Sequence, residues 1–99
     1  MAAQKLSANQ IQDRLQKLPG WRVEDDTLRK TYQFPSFPKA MEFVNQLAEM
    51  AESVQHHPDI DIRYSKVSLG LTTHDSGGIT ANDVEMAASA DDLAGSAGA

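Results

Sequence analysis

Apolar residues recur along this chain with two different spacings, and the switches between them mark out its elements. Ile11, Leu15 and Leu18 share one face of a helix expected from Ser7 to about Leu18. Ser7 and Gln10 have the spacing of a capping box, and Pro19-Gly20 stops the helix. Alternation then takes over. Trp21 to Glu24 and Leu28 to Phe34 read as short strands around Asp25-Asp26-Thr27, with Leu28, Tyr32 and Phe34 on one face and Lys30 the odd member of that set. Helical spacing returns behind Ser36, an N-cap with Pro38 tolerated in the first turn. Ala40, Phe43, Val44, Leu47, Met50, Ala51 and Val54 form the strongest apolar stripe in the chain and read as core. Pro58 is expected to close this helix, because the residue before a proline is pushed out of helical conformation.

Two further strands follow, both expected to be half-buried, Ile60, Ile62 and Tyr64 alternating with charged residues and Val67, Leu69 and Leu71 with small ones. A tight turn near Ser65-Lys66 makes them a hairpin, with Tyr64 opposite Val67, Ile62 opposite Leu69 and Ile60 opposite Leu71. Extended, that register sets His57 opposite His74 and His56 opposite Asp75. Gly77-Gly78 supplies a loop, and Thr80 with Asp83 has the spacing of a second capping box. The alanine-rich helix that follows is expected to fade into a disordered tail at 95–99, leaving one domain over 1–94. The order α-β-β-α-β-β-α predicts an α+β fold, a four-stranded, mainly antiparallel sheet with helices packed on one face. Trp21 and Phe37 are expected in the core or at an interface.

Composition narrows the function classes. The chain has 99 residues and no cysteine, which removes disulfides, thiolate metal sites and cysteine nucleophiles together. The net charge of −5 comes from the end of the chain: from Ala81 on, Asp83, Glu85, Asp91 and Asp92 are unopposed by any Lys or Arg. There is no basic stripe to neutralise phosphates, which argues against direct nucleic-acid binding. No apolar run approaches the roughly 20 residues that span a bilayer. The N-terminal residues lack a signal-like apolar stretch, so the expectation is a cytoplasmic protein with no membrane partner.

All three histidines, His56, His57 and His74, lie near the ends of the expected hairpin. Histidine, with an ordinary pKa of about 6.5, both gives and takes protons near neutrality. Glu52 lies four residues before His56, and Asp83 lies near a helix start, so either can orient an imidazole. Two other readings stand beside this one. The histidines can be surface or capping residues, and three of them beside carboxylates can ligate zinc. Against zinc, adjacent residues in extended chain point to opposite sides, so His56 and His57 need an irregular backbone to converge. Thr72 and Thr73 read as hydrogen-bonding residues at a strand end rather than as nucleophiles, and no phosphate-cradling glycine loop is present.

The stretch Glu52-Ser-Val-Gln-His56-His57-Pro58, then Tyr64, Val67 and Leu71-Thr-Thr-His74-Asp75, then Gly78 and Thr80-Ala-Asn-Asp83, resembles the signature of the pterin-4a-carbinolamine dehydratases. A weaker likeness runs upstream through Leu18-Pro-Gly-Trp21 and Phe37 to Phe43, and the whole covers about Leu6 to Leu93. Some relatives carry tryptophan where this chain has Ile60. The resemblance implies a lyase that dehydrates 4a-hydroxytetrahydropterin, left by aromatic amino acid hydroxylases, to quinonoid dihydropterin without metal or organic cofactor. It implies a catalytic set of His56, His74 and His57, supported by Glu52 and Asp83, with His57, Thr73 and Asp75 binding substrate. It also implies a homodimer or homotetramer assembled through helices and sheet edges. The alternative that it carries is a non-catalytic protein-binding role, since animal members also stabilise dimers of a homeodomain transcription factor.

Overall fold

The computed structural model describes residues 4–99; the part of the expected 1–94 domain that falls on Met1–Ala3 lies outside them. Helix α1 (Ala8–Leu15) begins at Ser7, whose side chain and that of Gln10 complete the capping box in both directions. It ends short of Leu18; the chain continues in turns, and Leu18 is still buried. Strands β1 (Arg22–Glu24) and β2 (Thr27–Gln33) form a hairpin closed by two residues, Asp25 and Asp26, both at positive φ. That mirror-image turn matches the strands' own twist, which is why two aspartates close it and Thr27 opens β2. Ser36 caps α2 (Phe37–Val54), with Pro38 in its first turn. Strands β3 (Asp59–Arg63) and β4 (Lys66–Leu71), a single 3-10 turn (His74–Ser76) and α3 (Ala81–Ser96) complete the chain.

The sheet is antiparallel throughout, in the order β1-β2-β4-β3, with α2 and α3 packed on one face. The core joins Leu28 and Tyr32 of β2, Val67, Leu69 and Leu71 of β4, Phe43 and Leu47 of α2, and Ala87, Ala90 and Ala94 of α3. Each large apolar side chain buried this way contributes roughly 1.5–3 kcal/mol. Tyr32, Phe34 and Phe43 are mutually in ring contact, and Trp21 meets Tyr32 edge-on at 6.4 Å. Trp21 is buried as expected, whereas Phe37, the first residue of α2, is 45% exposed. Among the described residues no helix is long and apolar enough to cross a membrane.

Three expectations are corrected. The β3–β4 register lies two residues away from the expected one, with Ile62 opposite Val67 and Ile60 opposite Leu69. A shift of two keeps both apolar sets on the same face, so alternation alone does not choose between the registers. The turn does. Tyr64 takes a left-handed conformation and Ser65 is tied to β2, its hydroxyl accepting from Gln33 Nε2 at 2.6 Å and its carbonyl from the Phe34 amide at 2.9 Å. The turn is therefore Tyr64-Ser65, with Arg63 opposite Lys66, and the ladder stops at Asp59 opposite Gly70 before reaching any histidine. Second, β3 is exposed along its whole length because the helices cover β2 and β4 and leave this edge strand uncovered. Third, the expected loose tail at 95–99 is ordered. Helix α3 runs to Ser96, Ala94 and Ala97 are buried, and Gly98 lies against Pro35. Alanine combines the highest helix propensity with a side chain small enough for close packing on the sheet.

Candidate active site

The site forms where α2 ends, and the ending is irregular for a reason visible in the backbone. Gln55 adopts left-handed φ 54° and ψ 42°, its amide bonding back to Ala51 and Glu52 while the His56 amide bonds to Ala51. This left-handed cap satisfies the last helical carbonyls and turns the chain sharply. The helix therefore stops at Val54, before Pro58 can act on it. The turn also separates the adjacent histidines, so that each meets its own carboxylate.

His56 turns toward α3, where its Nε2 lies 2.5 Å from Asp83 Oδ1. Asp83 is fully buried, and its other oxygen accepts from the Thr80 amide at 2.9 Å and the Thr73 hydroxyl at 2.8 Å. The capping box of α3 thus does two tasks at once: it starts the helix and holds a carboxylate behind an imidazole. His57 turns the other way, its Nε2 2.8 Å from Glu52 Oε1. Glu52 is therefore the partner of His57, not of His56 as a continued helix would have it, because the left-handed residue breaks the four-residue repeat. Hydrogen bonding to His57 and then its charge hold the Glu52 carboxyl below its ordinary range, with a smaller part from Gln55. Both members of this pair are well exposed, so salt screens the interaction.

His74 reaches the same open end of the hairpin from its other strand, on the 3-10 turn after β4. A bridge between Thr73 and Gly78, with both amides bonded across it, closes the loop that carries His74. Gln55, His56, His57, Thr72, Thr73, His74 and Asp75 line one open cavity of about 250 Å³. The three histidines are thus gathered without the strand pairing expected to gather them. Of the expected supporting residues, Asp83 and Glu52 stand directly behind imidazoles. Thr73 lines the cavity, but its hydroxyl is engaged by Asp83 and Thr80, and the Thr72 hydroxyl bonds to the Asp26 carbonyl. Asp75 is exposed at the rim. Gln55 and Thr80 were not singled out as site residues by the sequence pattern, although Thr80 announced itself as a helix cap. Among the described residues no three His, Asp or Glu side chains are grouped to hold a metal ion.

An imidazole backed by a buried carboxylate, with a second backed by an exposed one and a third across a small cavity, is an arrangement for moving protons. Comparison with known proteins bears on the family. The family model described as Pterin 4 alpha carbinolamine dehydratase matches residues 4–93. A protein of Roseiflexus sp. (strain RS-1), provisionally named pterin-4-alpha-carbinolamine dehydratase, is 50% identical over 91 residues, covering 92% of this chain and 98% of its own. One of Thermomicrobium roseum with the same provisional name is 52% identical over 80 residues, covering 81% and 86%. Among solved structures, a transcriptional coactivator/pterin dehydratase from Brucella melitensis superposes with a TM-score of 0.88 at 30% identity, over 91% of this chain and 98% of that one. A pterin dehydratase-like protein described as a RuBisCO assembly factor of the alpha-carboxysome superposes with a TM-score of 0.64 at 26% identity, over 76% and 87%. Fold and sequence agree from the first helix to the last: the chain belongs to the pterin 4 alpha carbinolamine dehydratase family.

Proposed function

We propose that this protein is a hydro-lyase that dehydrates 4a-hydroxytetrahydropterin to quinonoid dihydropterin and water, in tetrahydropterin recycling. The observation that carries the reading is the convergence of all three histidines of the chain on one cavity, two of them with a carboxylate in hydrogen-bond contact. In the reaction the C4a–O bond breaks and its oxygen takes a proton to leave as water. A ring N–H gives up its proton, and the freed electron pair completes the new carbon–nitrogen double bond. Each transfer suits an imidazole near neutrality, and the step balances with protons alone. His56 and His74 are assigned the two transfers and His57 the holding of the pterin, with Asp75 at the rim as a substrate contact. Glu52 and Asp83 orient His57 and His56. An aromatic amino acid hydroxylase would supply the substrate, and a cytoplasmic location suits that partnership.

The chain is also assigned a self-associating state. Among the described residues strand β3 leaves its outer edge unpaired, and it holds Ile60 and Ile62 more than one-third exposed, the profile of a strand that pairs with another chain. A second reading, a protein-binding role without catalysis, is favoured by one observation: the structural relative described as an assembly factor shares this fold.

The experiment is a titration of 7,8-dihydrobiopterin, a stable analogue of the product, into isotopically labelled protein. Ring resonances of His56, His57 and His74 are expected to shift together and saturate. Unmoved histidines at millimolar pterin contradict the assignment and favour the second reading.

A further inference from the structure

Counting protons on the two threonines behind the site gives its hydrogen bonds a direction. Thr73 Oγ1 lies 2.8 Å from Asp83 Oδ2 and 2.8 Å from Thr80 Oγ1. A hydroxyl has one proton to give, and an ionised carboxylate only accepts. The Thr73 proton therefore goes to Asp83, and the Thr73–Thr80 contact is made by the proton of Thr80, whose other acceptor, Asp83 Oδ2, is farther away at 3.5 Å. The Thr80 oxygen in turn accepts amide N–H groups of the first turn of α3, that of Asn82 at 3.2 Å. Thr80 and Asp83 are both fully buried. A chain of donors thus runs from the α3 N-terminus through Thr80 and Thr73 to Asp83 Oδ2, and His56 Nε2 meets the other oxygen. Since that oxygen accepts, Nε2 is the protonated nitrogen of neutral His56, and Nδ1 is the one free to exchange a proton.

We propose that Thr73 and Thr80 are positioning residues that, through Asp83, fix the tautomer and orientation of His56 and make Nδ1 its working nitrogen. This rests on reading the cavity as an acid–base site. Thr73 then serves the substrate indirectly, through the carboxylate behind the histidine. The bonds in such a chain polarise one another, so removing one hydroxyl is felt at the imidazole. The titratable groups around His56 are Asp83 of α3, in contact with its Nε2, and, lining the cavities beside it, Glu85 of α3 with His57, His74 and Asp75 of the histidine segment and the 3-10 turn. Substitution of Thr73 alters none of them.

The test uses Thr73→Val, which keeps the shape and removes the hydroxyl, and Thr73→Ser, which restores it. In wild-type protein, imidazole nitrogen NMR is expected to place the His56 proton on Nε2. In Thr73→Val that spectrum should become a mixture of tautomers. Its kcat should fall about tenfold, one hydrogen bond's worth, with KM within about twofold. Thr73→Ser should recover most of each change. A wild-type proton on Nδ1 overturns the proposal without any variant needing to fold. So does a folded Thr73→Val with unchanged tautomer and kcat, or equal losses in Val and Ser. A tautomer that responds to Thr73 in a protein without dehydratase activity would overturn the proposed function and leave the positioning role standing.

Discussion

Asp91 holds together three residues that lie 59 to 70 positions away in sequence, and its removal gives a sharp test of what ties α3 to the sheet. Its carboxylate accepts from Tyr32 Oη at 2.5 Å, Lys30 Nζ at 2.9 Å and Trp21 Nε1 at 3.1 Å. Lys30 also sits over the Tyr32 ring, 4.8 Å from its centroid. In Asp91→Ala the phenol and the indole lose their partner inside the core, and the ammonium keeps the Pro19 carbonyl and the aromatic faces. Hydrogen bonds to a charged group are worth about 1.5–3 kcal/mol each. Lys30 and Asp91 retain 18% and 25% side-chain exposure, so water replaces part of that. The expected loss is about 2–4 kcal/mol, a large share of an ordinary domain's stability, and Asp91→Asn should lose roughly half as much. In urea, at a slope of roughly 1–1.5 kcal/mol per molar, the midpoint should fall by about 2 M. A fall in melting temperature of about 10–20 °C should accompany it. Because Asp91 lines no part of the histidine cavity, turnover well below the melting point should be unchanged. A loss under about 0.5 kcal/mol for Asp91→Ala would mean that these bonds do not tie α3 to the sheet and that the cluster is a surface decoration.

Alkaline stability follows from the same cluster. Burial, then the bond to Asp91 and its charge, push the Tyr32 phenol far above its ordinary value of 10.0. Its stabilisation is therefore complete below about pH 10 and is lost as pH rises, since only the unfolded chain releases the proton. Wild-type stability should decline above pH 10 by about 1.4 kcal/mol per pH unit more than that of Tyr32→Phe, read from urea midpoints across pH 9–11; parallel curves would contradict it. For self-association, light scattering should give a mass that is a multiple of 10.8 kDa, and Ile62→Lys on the exposed edge strand should shift it toward the monomer. An unchanged assembly in Ile62→Lys would mean that this edge is not the interface.

What the sequence made legible was local. Ser7 with Gln10 and Thr80 with Asp83 announce their caps within four residues, and the α2 stripe declares its buried face through Phe43 and Leu47. The three histidines and their two carboxylates could be picked out because their residue types already limit their chemistry. What remained hidden was non-local. The hairpin register turned on Ser65 being held by Gln33 and Phe34, contacts that alternation does not encode. The pairing of Glu52 with His57 depended on one left-handed residue, Gln55, which has no side-chain signature for that conformation. The Asp91 cluster joins the first strands to the last helix, and an alanine face such as Ala87, Ala90 and Ala94 offers little contrast to read as buried. Two errors of placement thus left the grouping of the histidines unchanged, because the segments after α2 and β4 line one cavity.

Dehydration can be watched by following the carbinolamine itself. A phenylalanine hydroxylase generates 4a-hydroxytetrahydropterin, and ultraviolet absorbance records its decay with and without this protein. Accelerated decay, lost in a folded His56→Ala His74→Ala variant, is the result predicted here. A folded wild-type protein that leaves the spontaneous rate unchanged, or a double variant as active as wild type, would contradict the assignment of these histidines to dehydration.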